Sequence, residues 1–168
     1  MSDPILPESF YARDTVTVAR GLLGKVLVCG EIAAPIIEVE AYLGMDDKAA
    51  HAARGITPRT RVIFGPPGRA YVYLIYGMHE CLNLIAESDG VPGCVLIRGV
   101  QGVSGPGRLT RAFGITRGHN GLPVFKSGGA ITVRDEGWRT GEIQVTPRIG
   151  IRHCADWPLR FIAAVYPP

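Results

Sequence analysis

Apolar and polar positions alternate with two different periods along this chain, and the switches between them divide it into elements. Between Phe10 and Gly24 an apolar stripe at Val16, Ala19, Leu22 and Leu23 has helical spacing, with Gly24 as the stop. Lys25 to Cys29 and Ile32 to Tyr42 read as two strands around a turn at Gly30. Period two in the second strand sets Glu38, Glu40 and Tyr42 on one face and Ile37, Val39 and Ala41 on the other. After Leu43-Gly44, Asp46 or Asp47 is placed to cap a short helical turn from Lys48 to His51, returning His51 toward the strand end. Residues 52 to 69 are dense in glycine, proline and arginine, which suits a loop against phosphates and equally an ordinary polar connection.

Ala70 to Ile85 alternates up to Tyr76-Gly77 and resumes beyond it, so a β-hairpin with its turn there is expected. An aromatic at a hairpin tip is unusual, because tips favour small polar residues. Tyr76 reads either as a wedge for a base stack or as a ring folded back on the core. Asn83, inside an apolar strand, is either a base reader or a satisfied core amide. Cys94 to Val100 is a strand whose Arg98 must meet a carboxylate or an anion. Ser104 to Ile115 opens with glycine and proline and continues as a helix with a Leu109, Ala112, Phe113 stripe and a stop at Gly114. Residues 117 to 129 read as loop. Ile131 to Val133, Ile143 to Val145 and Pro147 to Ile151 are short extended pieces, and Leu159 to Val165 is a closing strand after a turn at Asp156-Trp157-Pro158.

Composition narrows the picture. The 168 residues suit one domain, 1 to 168, with a core that needs neither disulfide nor metal. The four cysteines lie far apart without a C-x-x-C pair, so free thiols are expected and no metal site is called. No apolar run approaches the roughly 20 residues of a membrane span, and the first residues lack a basic region followed by an apolar one, so a cytoplasmic protein with no membrane contact is expected. The net charge of +3 is unevenly spread. From Lys48 to Arg134 there are eleven basic residues, mostly arginine, against Glu80, Glu87 and Asp89, and the flanks are acidic. That asymmetry fits a surface facing a polyanion, with forked phosphate contacts, or a solvated basic face.

The candidate chemistry concentrates between Ile36 and His51, where two carboxylates, an aromatic ring and an imidazole fall within sixteen residues. A floor of an active site and a strand with solvated glutamates both fit this stretch taken alone.

The motifs E-V-E-A-Y-L-G, A-A-H, Y-V-Y-L-I-Y-G-M-H-E-C-L-N, V-L-I-R, G-P-G-R-L, R-I-G-I and P-L-R-F, in this order and through nearly the whole chain, resemble the alkyladenine (3-methyladenine) DNA glycosylase family. The resemblance implies an α+β fold, a single compact domain with a mixed, mostly antiparallel sheet and a protruding hairpin that inserts into the minor groove. It implies a monofunctional enzyme of base-excision repair that flips alkylated or deaminated purines out of double-stranded DNA and hydrolyses the glycosidic bond. It further implies no cofactor, a monomer, and a bacterial cytoplasmic setting on the nucleoid.

Matched residue by residue, the resemblance makes Glu40 the base that activates water. Arg98 holds that water with it, and Ile149 supplies a backbone carbonyl. Tyr42 stacks on one face of the flipped base, with His51 and Tyr73 on the other, and the backbone near Ala49 also touches it. Tyr76 is the intercalating wedge and Asn83 excludes the 2-amino group of guanine. The chain departs from the family's pattern at Met45, where a proline is usual, and at His79, where another aromatic is usual; it is also shorter at both ends than animal members. These departures bear on lesion preference more than on chemistry. The alternative class is a nucleic-acid-binding module of the same fold without the chemistry. Intact Glu40 and Arg98 weigh against it, since a pure binder would gain nothing from burying them.

Overall fold

The computed structural model describes residues 3–168. Its helices are α1 (Glu8–Tyr11), α2 (Thr15–Leu22) and α3 (Pro106–Phe113). The strands are β1 (Val26–Cys29), β2 (Ile32–Tyr42), β3 (Ala70–Ile75), β4 (His79–Ile85), β5 (Cys94–Val100), β6 (Val103–Ser104), β7 (Ile131–Arg134), β8 (Arg139–Thr140), β9 (Gln144–Thr146), β10 (Arg160–Ile162) and β11 (Val165–Tyr166). The fold is α+β. The main sheet runs in the order β3-β4-β5-β2-β1-β7, with β6 on β5, β10 on β2 and β9 on β10, while β8 and β11 pair separately. Every ladder among the described residues is antiparallel.

β2 organises the sheet, because its eleven residues pair with β1 in the first half, with β10 in the second, and with β5 along the other edge. The expected alternation along it is broken once. The register against β5 shifts between Ile36 and Val39, so the residues that reach the core are Ile36, Val39 and Ala41, and Ile37 is displaced. A bulge adds one residue to a strand and restarts its phase, which periodicity in the sequence does not reveal. Beyond the bulge Glu38, Glu40 and Tyr42 share the opposite face as expected.

α2 packs Val18, Ala19 and Leu22 into the core against β2 and β5. It is shorter than the stripe suggested, because Asp14 caps it, accepting from the Thr17 amide at 3.0 Å, and Phe10 and Tyr11 belong to or border the separate turn α1. α3 has Pro106 in its first turn and the left-handed Gly114 at its end, as expected. Its buried face is Leu109, Thr110 and Phe113, and Ala112 is exposed. Thr110 is tolerated inside because its hydroxyl donates to the carbonyl of Glu80 at 2.9 Å.

Four further expectations are corrected. Lys48 to His51 is not a capped helical turn; a 3-10 turn starts at His51, and Asp47 is fully buried elsewhere. Residues 52 to 69 are not loop throughout, since two 3-10 turns bury Ala52 and Ile63 in a small second core with Tyr71 and Ile85. Residues 147 to 151 form no strand. The closing strand is split into β10 and β11 by a break at 163 and 164.

Candidate active site

β3 and β4 form the expected hairpin, paired from Ala70 and Leu84 to Ile75 and His79, with Tyr76, Gly77 and Met78 at the tip. Tyr76 and Gly77 are both left-handed, at φ 53° and 66°, the twist that a tight hairpin demands. Glycine meets that demand freely. For tyrosine it is strained, and the residue is 85% exposed, so contacts among the described residues repay little of the strain. Met78 beside it is exposed as well, a second apolar side chain at the tip that sequence reading passed over.

Between this hairpin, the end of β2 and the start of α3 lies a cavity of about 630 Å³. Tyr42, Ala49, His51, Tyr73, Asn83, Arg98 and Ile149, together with Tyr76, all line it. Segments scattered over a hundred residues are thus brought to one concavity. His79 is at its edge against Gly107, where a Cβ on the glycine would stand 3.0 Å from the imidazole. Met45 is exposed and outside the lining.

Glu40 is fully buried and sits behind the wall. Its Oε1 accepts from the Tyr42 hydroxyl at 2.9 Å and its Oε2 from the amide of Ile149 at 2.8 Å. The Arg98 guanidinium lies 3.7 Å from Oε1. So Ile149 meets Glu40 through its N–H. Arg98 also donates to Glu38 at 3.2 Å, and Glu38 accepts a second guanidinium, Arg160, at 2.6 Å. The four side chains alternate in charge from Arg160 to Glu40, which lets two carboxylates share a strand face without mutual repulsion deciding the matter.

The aromatic wall has its own hydrogen bonding. The rings of His51 and Tyr73 meet edge to face with centroids 4.4 Å apart, and His51 Nδ1 is 2.8 Å from the hydroxyl of Tyr71. Burial, and then the nearby Arg59 and Arg54, lower the His51 pKa to about 4, so the imidazole is neutral at pH 7. Burial raises Tyr71 to about 12 and drives Tyr42 and Tyr73 higher still, so all three remain phenols. Tyr71 was not singled out from the sequence, where it is one more member of an alternating strand. The only signal was its place opposite Asn83 in the hairpin register.

Asn83 is buried, its Nδ2 donating to the Tyr71 carbonyl at 3.3 Å and its Oδ1 facing the Cys94 thiol at 3.8 Å. Burial pushes Cys94 up to about 12, so the sulfur keeps its proton and the amide orientation is set from both ends. All four cysteines are free. Among the described residues no group of three or more His, Cys, Asp and Glu side chains converges as metal ligands would, and no helix is long and apolar enough to cross a membrane.

Missed entirely was the buried pair of Arg148 and Asp47. Both side chains are inaccessible; Nη1 and Nη2 each reach a carboxylate oxygen, the latter at 2.9 Å, and Nη1 also donates to the carbonyl of Ala41 at 3.0 Å. Asp47 in turn accepts from the amides of Leu43 at 3.0 Å and Ala49 at 3.2 Å, tying down the segment that follows β2. Sequence signals were absent, because an arginine in R-I-G-I and an aspartate in a turn both look solvent-facing.

The family model for methylpurine-DNA glycosylase matches residues 9–104 and 101–167, nearly the whole chain. The chain belongs to this family. Among its relatives, a protein of Methanocella arvoryzae is 45% identical over 181 residues, covering 94% of this chain and 90% of the relative. One of Sodalis glossinidius is 46% identical, covering 96% and 98%, and one of a Wolbachia from Brugia malayi is 48% identical, covering 90% and 92%. All three carry the provisional name 3-methyladenine DNA glycosylase. A methylpurine-DNA glycosylase fold is therefore built here around β2, the hairpin and one cavity.

Proposed function

We propose that this chain is a DNA glycosylase that excises alkylated or deaminated purines from double-stranded DNA by hydrolysis, as one domain spanning its 168 residues and acting as a monomer in the cytoplasm. The observation that carries the reading is Glu40, fully buried yet held by Tyr42, Ile149 and Arg98 at the wall of a cavity large enough for a purine and lined by aromatic rings. The family membership and the names of the relatives point the same way.

In this reading the damaged nucleotide leaves the stack at a cost of a few kcal/mol, least for weakened pairs, and Tyr76 fills the gap it leaves. The base enters between Tyr42 on one side and His51 with Tyr73 on the other. Asn83, anchored through Tyr71 and Cys94, turns away purines that carry a 2-amino group. A carboxylate has about four lone-pair directions, and the bonds from Tyr42 and Ile149 leave others to accept from one water held with Arg98. The water oxygen attacks C1′ of the deoxyribose, Glu40 takes its proton, and the bond from C1′ to the base nitrogen breaks with its electron pair leaving on the base. Adenine alkylated at N3 is cationic and departs neutral, so it needs no acid. The products are a free base and an intact abasic site.

Incubation of the protein with duplex oligonucleotides carrying one 3-methyladenine, one ethenoadenine or one hypoxanthine tests this. Release of free base with a backbone that breaks only after alkali is the expected result. Tight binding to the lesion duplex with no base released overturns the catalytic reading in favour of a binding module.

A further inference from the structure

We propose that the buried Arg148 and Asp47 pair sets the preference between cationic and neutral lesions, by fixing the charge behind the stacking ring of Tyr42. The guanidinium carbon of Arg148 lies over that ring, 4.7 Å from its centroid. Tyr42, Ala49 and Ile149 line the cavity and Arg148 does not, so the guanidinium is on the far side of the ring from the cavity. A base stacked on the near face then sits within about 8 Å of a full positive charge, across a ring of low polarity. Trp157 flanks the same guanidinium, 6.0 Å from centroid to carbon, and no water-exposed surface remains to screen it.

Left alone, that charge would oppose a cationic purine and leave a neutral one nearly unaffected. Asp47 cancels it through two carboxylate contacts, at no exposed position. The Arg148 Nε, buried and without a partner among the described residues, shows that the guanidinium is held for its fit to Asp47, Ala41 and Tyr42 rather than for complete hydrogen bonding. The pair acts as a specificity determinant through Tyr42, and touches no substrate itself. This rests on the cavity being the lesion site.

The test measures single-turnover release against enzyme concentration, for matched duplexes with 3-methyladenine as the cationic probe and hypoxanthine as the neutral one, neither of which carries a 2-amino group. Each series yields a half-saturating concentration and a maximal rate, and the ratio of the two half-saturating concentrations is the readout. Asp47→Asn leaves Arg148 uncompensated, and weakens engagement of the cationic lesion relative to the neutral one by on the order of tenfold. Arg148→Met leaves no positive charge behind the ring, whichever form the buried Asp47 carboxyl then takes, so the ratio moves the opposite way or keeps the parent value. Circular dichroism establishes that each variant is folded, and each one has an outcome that decides. A purely structural pair shifts both lesions together; an unmoved ratio in Asp47→Asn, or weaker engagement of the cationic lesion relative to the neutral one in Arg148→Met, overturns the proposal. Failure of the parent to release either base counts against the glycosylase reading instead.

Discussion

Two carboxylates two residues apart on β2 have different surroundings, and the roles proposed for them separate accordingly. Glu40 is fully buried and bonded at both oxygens, whereas Glu38 spends one oxygen on Arg98 and Arg160. Glu40→Gln keeps size and one hydrogen bond but removes the basic oxygen. Base release is expected to fall by about 10² to 10⁴, with lesion binding near normal. Glu38→Gln weakens one charge-assisted contact to Arg98, and a loss of about tenfold is expected. Equal losses in the two variants mean that the water is served by something other than Glu40.

His51 adds a pH dependence. Its pKa is about 4 in the fold against about 6.5 in the unfolded chain. Between these values the unfolded state binds the proton and the native state does not, so stability falls as pH drops from 6.5 to 4 and levels off below. Since the ring is only partly buried, about 1 to 3 kcal/mol is expected, read as the difference in urea unfolding between the parent and His51→Gln across that window. A difference independent of pH places the imidazole in contact with solvent.

At the scale of elements, the proposed function divides holding from reading along the hairpin of β3 and β4. Its tip carries a strained, exposed Tyr76, and its base carries the locked amide of Asn83. Tyr76→Ala is expected to weaken lesion binding by about 1 to 3 kcal/mol, the worth of one stacked aromatic. Because the ring touches little else, thermal stability should be unchanged; a large drop in Tm assigns the tyrosine to the fold. Asn83→Ser should leave binding intact and permit slow release of undamaged guanine, measurable by mass spectrometry of the free bases. Strict rejection of guanine by that variant moves the filter to another part of the wall.

For the molecule as a whole, exposed positive charge borders the aromatic wall of the cavity, with the Arg59 guanidinium 5.2 Å from the centroid of the Tyr73 ring. The exposed arginines Arg54, Arg59 and Arg61 follow or lie within the 3-10 turns of residues 51 to 64, and Arg61 has no ion pair among the described residues. If it meets a phosphate, Arg61→Ala should reduce the salt slope of DNA binding by about 1, with lesion preference unaltered. No lysine lines the cavity among the described residues, and Lys25 is engaged by Asp135 at 2.9 Å. A strand-cutting lyase needs an amine nucleophile at C1′. Borohydride is therefore expected to trap no covalent complex on lesion DNA, and a trapped band on a denaturing gel would show that an amine does reach the sugar.

Much of this was legible along the chain. Local periodicity sufficed for β1, β2, the hairpin and α3, because period and turn chemistry are properties of neighbouring residues. The order of short motifs was enough for the family, and it picked out residues that the fold collects around one cavity. What tertiary structure alone decided were matters of phase and of partners distant in sequence. The bulge at Ile37 shifted which isoleucine faces the core, and Thr110 replaced Ala112 on the buried face of α3 because a carbonyl on β4 was there to accept its proton. Asp47 and Arg148, 101 residues apart, look like surface charges until the chain closes. A charge is stable inside only when its counter-charge arrives with it, and that pairing exists in no stretch of sequence short enough to be read as a pattern.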